Sequence, residues 1–299
     1  MSLLPSLPRP SLPAVPTPAD VAAAVLERSI ASARGGWRAG QEVASLATHV
    51  ALYPAGVLAE SVSMVDDRAR LDPLSPVTRG LLLGDVAAAG TPVVLVHGIV
   101  DNRSAFRVIR RALHRRGYGR VTTVNYSPLT TDVAAAAERL GRHLERICDQ
   151  TGYDRVNVIG HSLGGIIARY YVQRRGGDRR VNTLVTLGSP HSGTTLARLL
   201  PLPVARQLRP GSQVIRELAA PTRARCRVVS VHSDRDEVVV PCSSARLEHP
   251  DLDVTNVAVH GVGHLALLVD TVAVNACVDA LTPPKAPARG TRVAAGAAG

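Results

Sequence analysis

Gly160-His161-Ser162-Leu163-Gly164-Gly165 sets a serine between glycines in the pattern G-x-S-x-G. The preceding run, 155–160 (RVNVIG), is apolar and β-branched, and the following run, 163–175, has helical spacing. Strand, sharp turn and helix in that order make such a serine a nucleophile: the turn pushes Ser162 outward, and the small neighbours let strand and helix approach without Cβ clashes. A serine hydroxyl near neutral pH needs a base, and the base needs a carboxylate to orient it and to stabilise its charged form.

Both partners follow later in the chain, each behind a Val-rich run. After 226–232 (CRVVSVH) comes Ser233-Asp234-Arg235-Asp236-Glu237-Val238-Val239, and after 253–259 (DVTNVAV) comes His260-Gly261-Val262-Gly263-His264. Asp236 stands beside a Val-Val run able to anchor the loop and is the favoured acid, with Asp234 and then Glu237 as alternatives. His264, in a glycine-rich loop just ahead of the last helical run, is the favoured base over His260. Acyl transfer also needs donors for an oxyanion. The backbone N–H of Leu163, directly after the serine, supplies one; Ile99, in His97-Gly98-Ile99, supplies the other, since Gly98 permits a tight turn. His97 and His161 read as structural.

These residues need a scaffold that gathers loops at one edge. From Thr91 the chain alternates β-branched runs, at 92–97, 119–125, 155–160, 181–187, 226–232 and 253–259, with helical runs near 103–116, 132–150, 163–175 and 265–281. Near-continuous Val and Ile separated by helices indicate a parallel sheet covered on both faces. In such a sheet, reactive groups collect beyond the carboxyl ends of the strands. Between Thr194 and Cys226, Leu196, Leu199, Leu200, Leu202 and Val204 fit either a mobile apolar lid or a packed helical connection.

The remainder bounds the function. Of 299 residues, 45% are hydrophobic, which excludes whole-chain disorder; only 3% are aromatic, which argues against base-stacking and hence nucleic-acid binding. The formal charge is +11, from 35 Lys and Arg against 24 Asp and Glu. Many of the arginines, among them Arg107, Arg110, Arg111, Arg115, Arg116, Arg169, Arg174 and Arg175, are expected on solvated helix faces. Peripheral contact with an anionic membrane is the one partner this charge leaves open. Four spaced cysteines lack a C-x-x-C pair and leave disulfide pairing undecided. The first sixteen residues are too proline-rich for a signal peptide, so a cytoplasmic or peripheral-membrane location is expected, with export left open. A helix is expected over about 18–34, and an uncharged amphipathic run over 43–59.

The segments VVLVHGI (93–99), GHSLGG (160–165), LGSPHSGT (187–194), SDRDEVVVP (233–241) and GVGHLALL (261–268) together resemble the α/β-hydrolase superfamily, in its bacterial lipase and esterase branch. The resemblance implies an α/β-hydrolase fold, a mostly parallel central sheet flanked by helices, over 86–282. A Pro-rich start and helical extension is expected over 1–85, and a disordered tail over 283–299. It also implies a serine carboxylester hydrolase acting on lipid-like or small-molecule esters, with Ser162, Asp236 and His264 catalytic; some related lipases bind structural calcium, but their ligands do not map onto this sequence, so no metal and no cofactor are expected. Thioesterase, phospholipase or GPI-inositol-deacylase-like enzyme, and acyltransferase are the alternatives on the same fold.

Overall fold

The computed structural model describes residues 89–99, 103–124, 132–200 and 202–282. The expectations for 18–34, 43–59, the rest of 1–85 and the tail 283–299 lie outside the described residues.

Six strands form one sheet in the order β2-β1-β3-β4-β5-β6. They are β1 Val93–Val96, β2 Val121–Val124, β3 Val156–His161, β4 Val181–Leu187, β5 Arg227–Ser233 and β6 Asp253–Val259. Every pairing is parallel. Alternate residues face opposite sides, so Val94 and Val96 enter one core while Val93 and Leu95 enter the other. The first core is closed by α2 (Val133–Thr151) and α3 (Leu163–Arg174), the second by α1 (Arg107–Arg115) and α6 (Thr271–Ala280). Helices on both faces are what a sheet with no solvated side requires.

The strand order sets where a site can form. The connection after β1 leads to β2 on one side, and the chain then crosses β1 to place β3 on the other. Beyond the carboxyl ends of β1 and β3 the connections diverge, the place where parallel sheets of this kind gather their reactive groups. Ile99 follows the first of these ends and Ser162 the second.

Residues 195–200 and 202–219 form a packed connection. A turn at Thr195–Arg198, α4 (Pro203–Gln207) and α5 (Gln213–Ala219) sink Leu196, Leu202, Val204, Leu208 and Leu218 into the protein. Leu200 is half-buried and packs on the core, while Leu199 is exposed. Cys148, Cys226, Cys242 and Cys277 are all free thiols. Among the described residues, no helix is long and apolar enough to cross a membrane. The arginine expectation needs one correction. Arg107, Arg111, Arg115, Arg116 and Arg175 are exposed, Arg110 and Arg174 are half-buried, and Arg169 is buried, because α5 and the segment after β4 cover its face of α3.

Candidate active site

Ser162 is the one non-glycine residue with positive φ among the described residues, at φ 53° and ψ −123°. Holding a Cβ-bearing residue there costs on the order of 1–3 kcal/mol, so the surroundings must enforce it. They do so from three sides. The Ser162 amide donates to Leu187 O at 2.9 Å, tying the turn to the end of β4, and the Gly165 amide donates back to Ser162 O at 3.1 Å. A Cβ on Gly160 would lie 2.6 Å from the Gly165 backbone, and one on Gly164 would overlap the carbonyl oxygens of Val96 and His97. Glycine at these positions therefore lets α3 dock on the β1 loop that leads to Ile99. The Leu163 amide opens α3, and Ile99 packs half-buried on the core.

Asp236 and His264 meet at the carboxyl ends of β5 and β6. Both are buried. His264 Nδ1 donates to Asp236 Oδ2 at 2.7 Å. The other carboxylate oxygen accepts from the amides of Val238 at 3.0 Å and Val239 at 2.8 Å. Those two bonds are how the valine run anchors the loop. A carboxylate accepts from a ring N–H, so Nδ1 carries the hydrogen of this bond, which leaves Nε2 as the ring nitrogen in place to act as a general base. His161, next to Ser162, lies against the His264 ring: the ring centroids are 4.8 Å apart, and His161 Nε2 is 3.3 Å from His264 O.

The other candidates have separate places. Asp234 pairs with His260 at 3.0 Å on the surface and accepts the Gly261 amide at 2.7 Å. The Gly261 amide first, and then the His260 ring, hold the Asp234 carboxyl below the usual carboxylate range. Glu237 Oε1 accepts the His264 backbone amide at 3.4 Å. His97 is buried, its Nδ1 2.8 Å from Gly98 O.

Sequence reasoning used the segment that follows β4, LGSPHSGT, only as part of the resemblance and gave none of its residues a place at the site. Gly188 has φ +56°, and a Cβ there would lie 3.2 Å from both Asp236 Oδ2 and His264 Nδ1. Its amide donates to Val231 O at 3.0 Å, fixing it over the pair. Thr194 Oγ1 donates to Val238 O at 2.7 Å and accepts the Val240 amide at 3.0 Å, clasping the acid loop. The visible signal was a glycine and hydroxyl-rich run directly after a buried strand. Among the described residues no cluster of His, Cys, Asp or Glu is arranged to hold a metal ion.

A family model described as palmitoyl protein thioesterase matches residues 92–219. A triacylglycerol lipase of Pseudarthrobacter phenanthrenivorans is 31% identical over 119 residues, 37% of this chain and 36% of that protein. The chain spans about a third of the length of the curated lipases it matches at this identity. Among solved structures, the mature form of a Bacillus licheniformis lipase superposes with a TM-score of 0.53 at 17% identity, covering 65% of this chain and 93% of that one. Aspergillus fumigatus lipase B gives 0.56 at 22% identity, covering 64% and 52%. At such identities the superpositions speak for the fold.

Proposed function

From its membership of the α/β-hydrolase superfamily, we propose that the chain is a serine carboxylester hydrolase of lipase or esterase type, using Ser162, His264 and Asp236. The observation that carries the reading is the buried 2.7 Å Asp236–His264 pair lying against the residue that precedes a strained Ser162. In the mechanism this supports, His264 Nε2 takes the proton as Ser162 Oγ attacks the ester carbonyl. The carbonyl oxygen becomes an oxyanion facing the backbone amides of Ile99 and Leu163. Asp236 stabilises the imidazolium, which then gives its proton to the departing alkoxide. Water repeats the cycle on the acyl-enzyme: His264 takes its proton, the acid is released and Ser162 is restored. One oxyanion donor is worth about a hundredfold or more in turnover.

The triacylglycerol lipase relatives favour a lipid-like ester as substrate. A thioester is the second reading, favoured by the thioesterase model's match over 92–219. Fluorophosphonate labelling of the full chain and of Ser162→Ala tests the mechanism: label on the wild type alone is expected, and label surviving the substitution overturns it. Turnover of p-nitrophenyl esters of rising chain length against palmitoyl-CoA then separates ester from thioester hydrolysis. Exposed Arg107, Arg111 and Arg115, one turn apart on α1, suit an anionic lipid interface. Activity on anionic vesicles is expected to fall with salt; salt-independent activity removes that contact.

A further inference from the structure

The roles given to Ser162, His264 and Asp236 leave one buried charge without a task. Arg169, on α3, is 2% exposed. None of its hydrogen-bond partners is a carboxylate: Nε donates to Gln173 Oε1 at 2.6 Å, one terminal nitrogen to His191 O at 3.2 Å, and the other to Leu218 O at 2.8 Å. Burial, with Arg174 nearby, pulls its pKa down to about 9. A desolvated cation with no carboxylate partner is a costly way to fill space. What distinguishes it is what it holds.

His191 lies in the segment after β4 and is buried. Its pKa is held well below the ordinary value, first by burial and then by Arg169 and His232, so the ring is neutral. An Arg169 terminal nitrogen stands 3.4 Å from His191 Nδ1. A guanidinium only donates, so Nδ1 accepts, and Nε2 carries the hydrogen that goes to Thr186 Oγ1 at 2.9 Å. Ring and carbonyl of His191 are thus both fixed. Either end of the same segment touches the candidate site: Gly188 lies over the Asp236–His264 pair, and Thr194 clasps Val238, whose amide bonds Asp236.

We propose that Arg169 is a positioning residue for the acid and base, acting through residues 188–194. The inference rests on the hydrolase reading for its consequence in turnover, though its geometry can be judged without it. Arg174 supplies the control. It sits on the same helix and donates to the carbonyls of Glu217, Ala220 and Pro221, with no hydrogen bond to the described residues of 188–194.

The test compares Arg169→Met, Arg169→Lys and Arg174→Met in kcat, KM and the low-field proton resonance of the His264–Asp236 hydrogen bond. Arg169→Met should lower kcat on the order of tenfold to a hundredfold with KM little changed, since small misplacements of reacting groups act on the chemical step. Its low-field resonance should shift or broaden. Arg169→Lys should recover part of both, and Arg174→Met should leave both as in the wild type, whatever its Tm. Thr194→Val, which keeps the volume and removes the hydroxyl clasp, gives the same readings if Arg169→Met does not fold. Wild-type kcat with an unmoved resonance in Arg169→Met overturns the proposal, as does an equal loss in Arg174→Met. Were the wild type to resist fluorophosphonate, the hydrolase reading would fail, while the resonance would still decide whether Arg169 positions the pair.

Discussion

Two Asp–His pairs bridge the same two loops, one at the surface and one inside. Asp234 and His260 meet at 3.0 Å with side chains 55% and 79% exposed; Asp236 and His264 meet at 2.7 Å with side chains 0% and 4% exposed. The residue types are identical, and the two acids stand two positions apart. What differs is the medium. Water screens the outer pair, and an exposed ion pair of this kind contributes at most about 1 kcal/mol. Inside, the effective dielectric is low, so the attraction between Asp236 and an imidazolium formed beside it is stronger than at Asp234, set against a larger desolvation cost. Two valine amides hold the inner carboxylate against rotation. Chemistry of the same kind thus becomes a candidate catalytic dyad only where burial and second contacts fix it.

The largest effect expected from this contrast is on turnover. Asp236→Asn keeps the shape and removes the carboxylate charge that fixes the His264 tautomer. By analogy with known serine triads, it should lower kcat by about ten-thousandfold if the proposed roles hold. Asp234→Asn should leave kcat within about twofold, as surface changes away from the reacting groups do. Steady-state kinetics on a p-nitrophenyl ester reads both. Comparable losses in the two variants would break the comparison.

The choice between those pairs was only half legible in the sequence. The Val-rich strands stood out: β4 and β6 occupy the expected 181–187 and 253–259 because β-branched residues line both faces. The last helical run, expected over 265–281, divides into a turn at Ala266–Leu268 and α6, because Asp270 turns its carboxylate onto the amides of Val272 and Ala273 and starts a new helix. The inner loops were legible in residue type, while the burial that separates Asp236 from Asp234 is a tertiary property. Arg169 shows the same limit. From Leu163 to Gln173 α3 is buried all round, so no amphipathic pattern marked which arginine would be covered. Gly188 was masked in another way, since its task lies in a contact made across three strands.

A smaller effect should come from two glycines that serve the two pairs. Gly188 has φ +56° over the buried pair, and Gly261 has φ +73° beside the exposed one. Alanine at either position meets the same backbone penalty, about 1 kcal/mol. At Gly188 the added methyl also presses on Asp236 Oδ2, His264 Nδ1 and Leu267 Cδ1. Gly188→Ala should therefore lower kcat by roughly tenfold or more through displacement of the pair, while Gly261→Ala should lower Tm and spare kcat. Turnover normalised to fluorophosphonate-labelled sites separates lost geometry from lost folded protein. Equal kcat values in the two variants would mean that the pair tolerates displacement.

The smallest effect belongs to the exposed pair and is read in stability. The Asp234 carboxyl titrates below its ordinary 3.8, first because the Gly261 amide donates to it and second because His260 does. In the unfolded chain both partners are lost and the ordinary value returns. A depressed folded pKa contributes stability that is present above 3.8 and is lost as pH falls through the folded value. Asp234→Asn should then lower Tm slightly at neutral pH, and the gap to the wild type should close in acid, below the carboxylate range. A gap that widened in acid would mean that protonated Asp234 is the stabilising form, and the outer pair would no longer be the solvent-screened counterpart of the inner one.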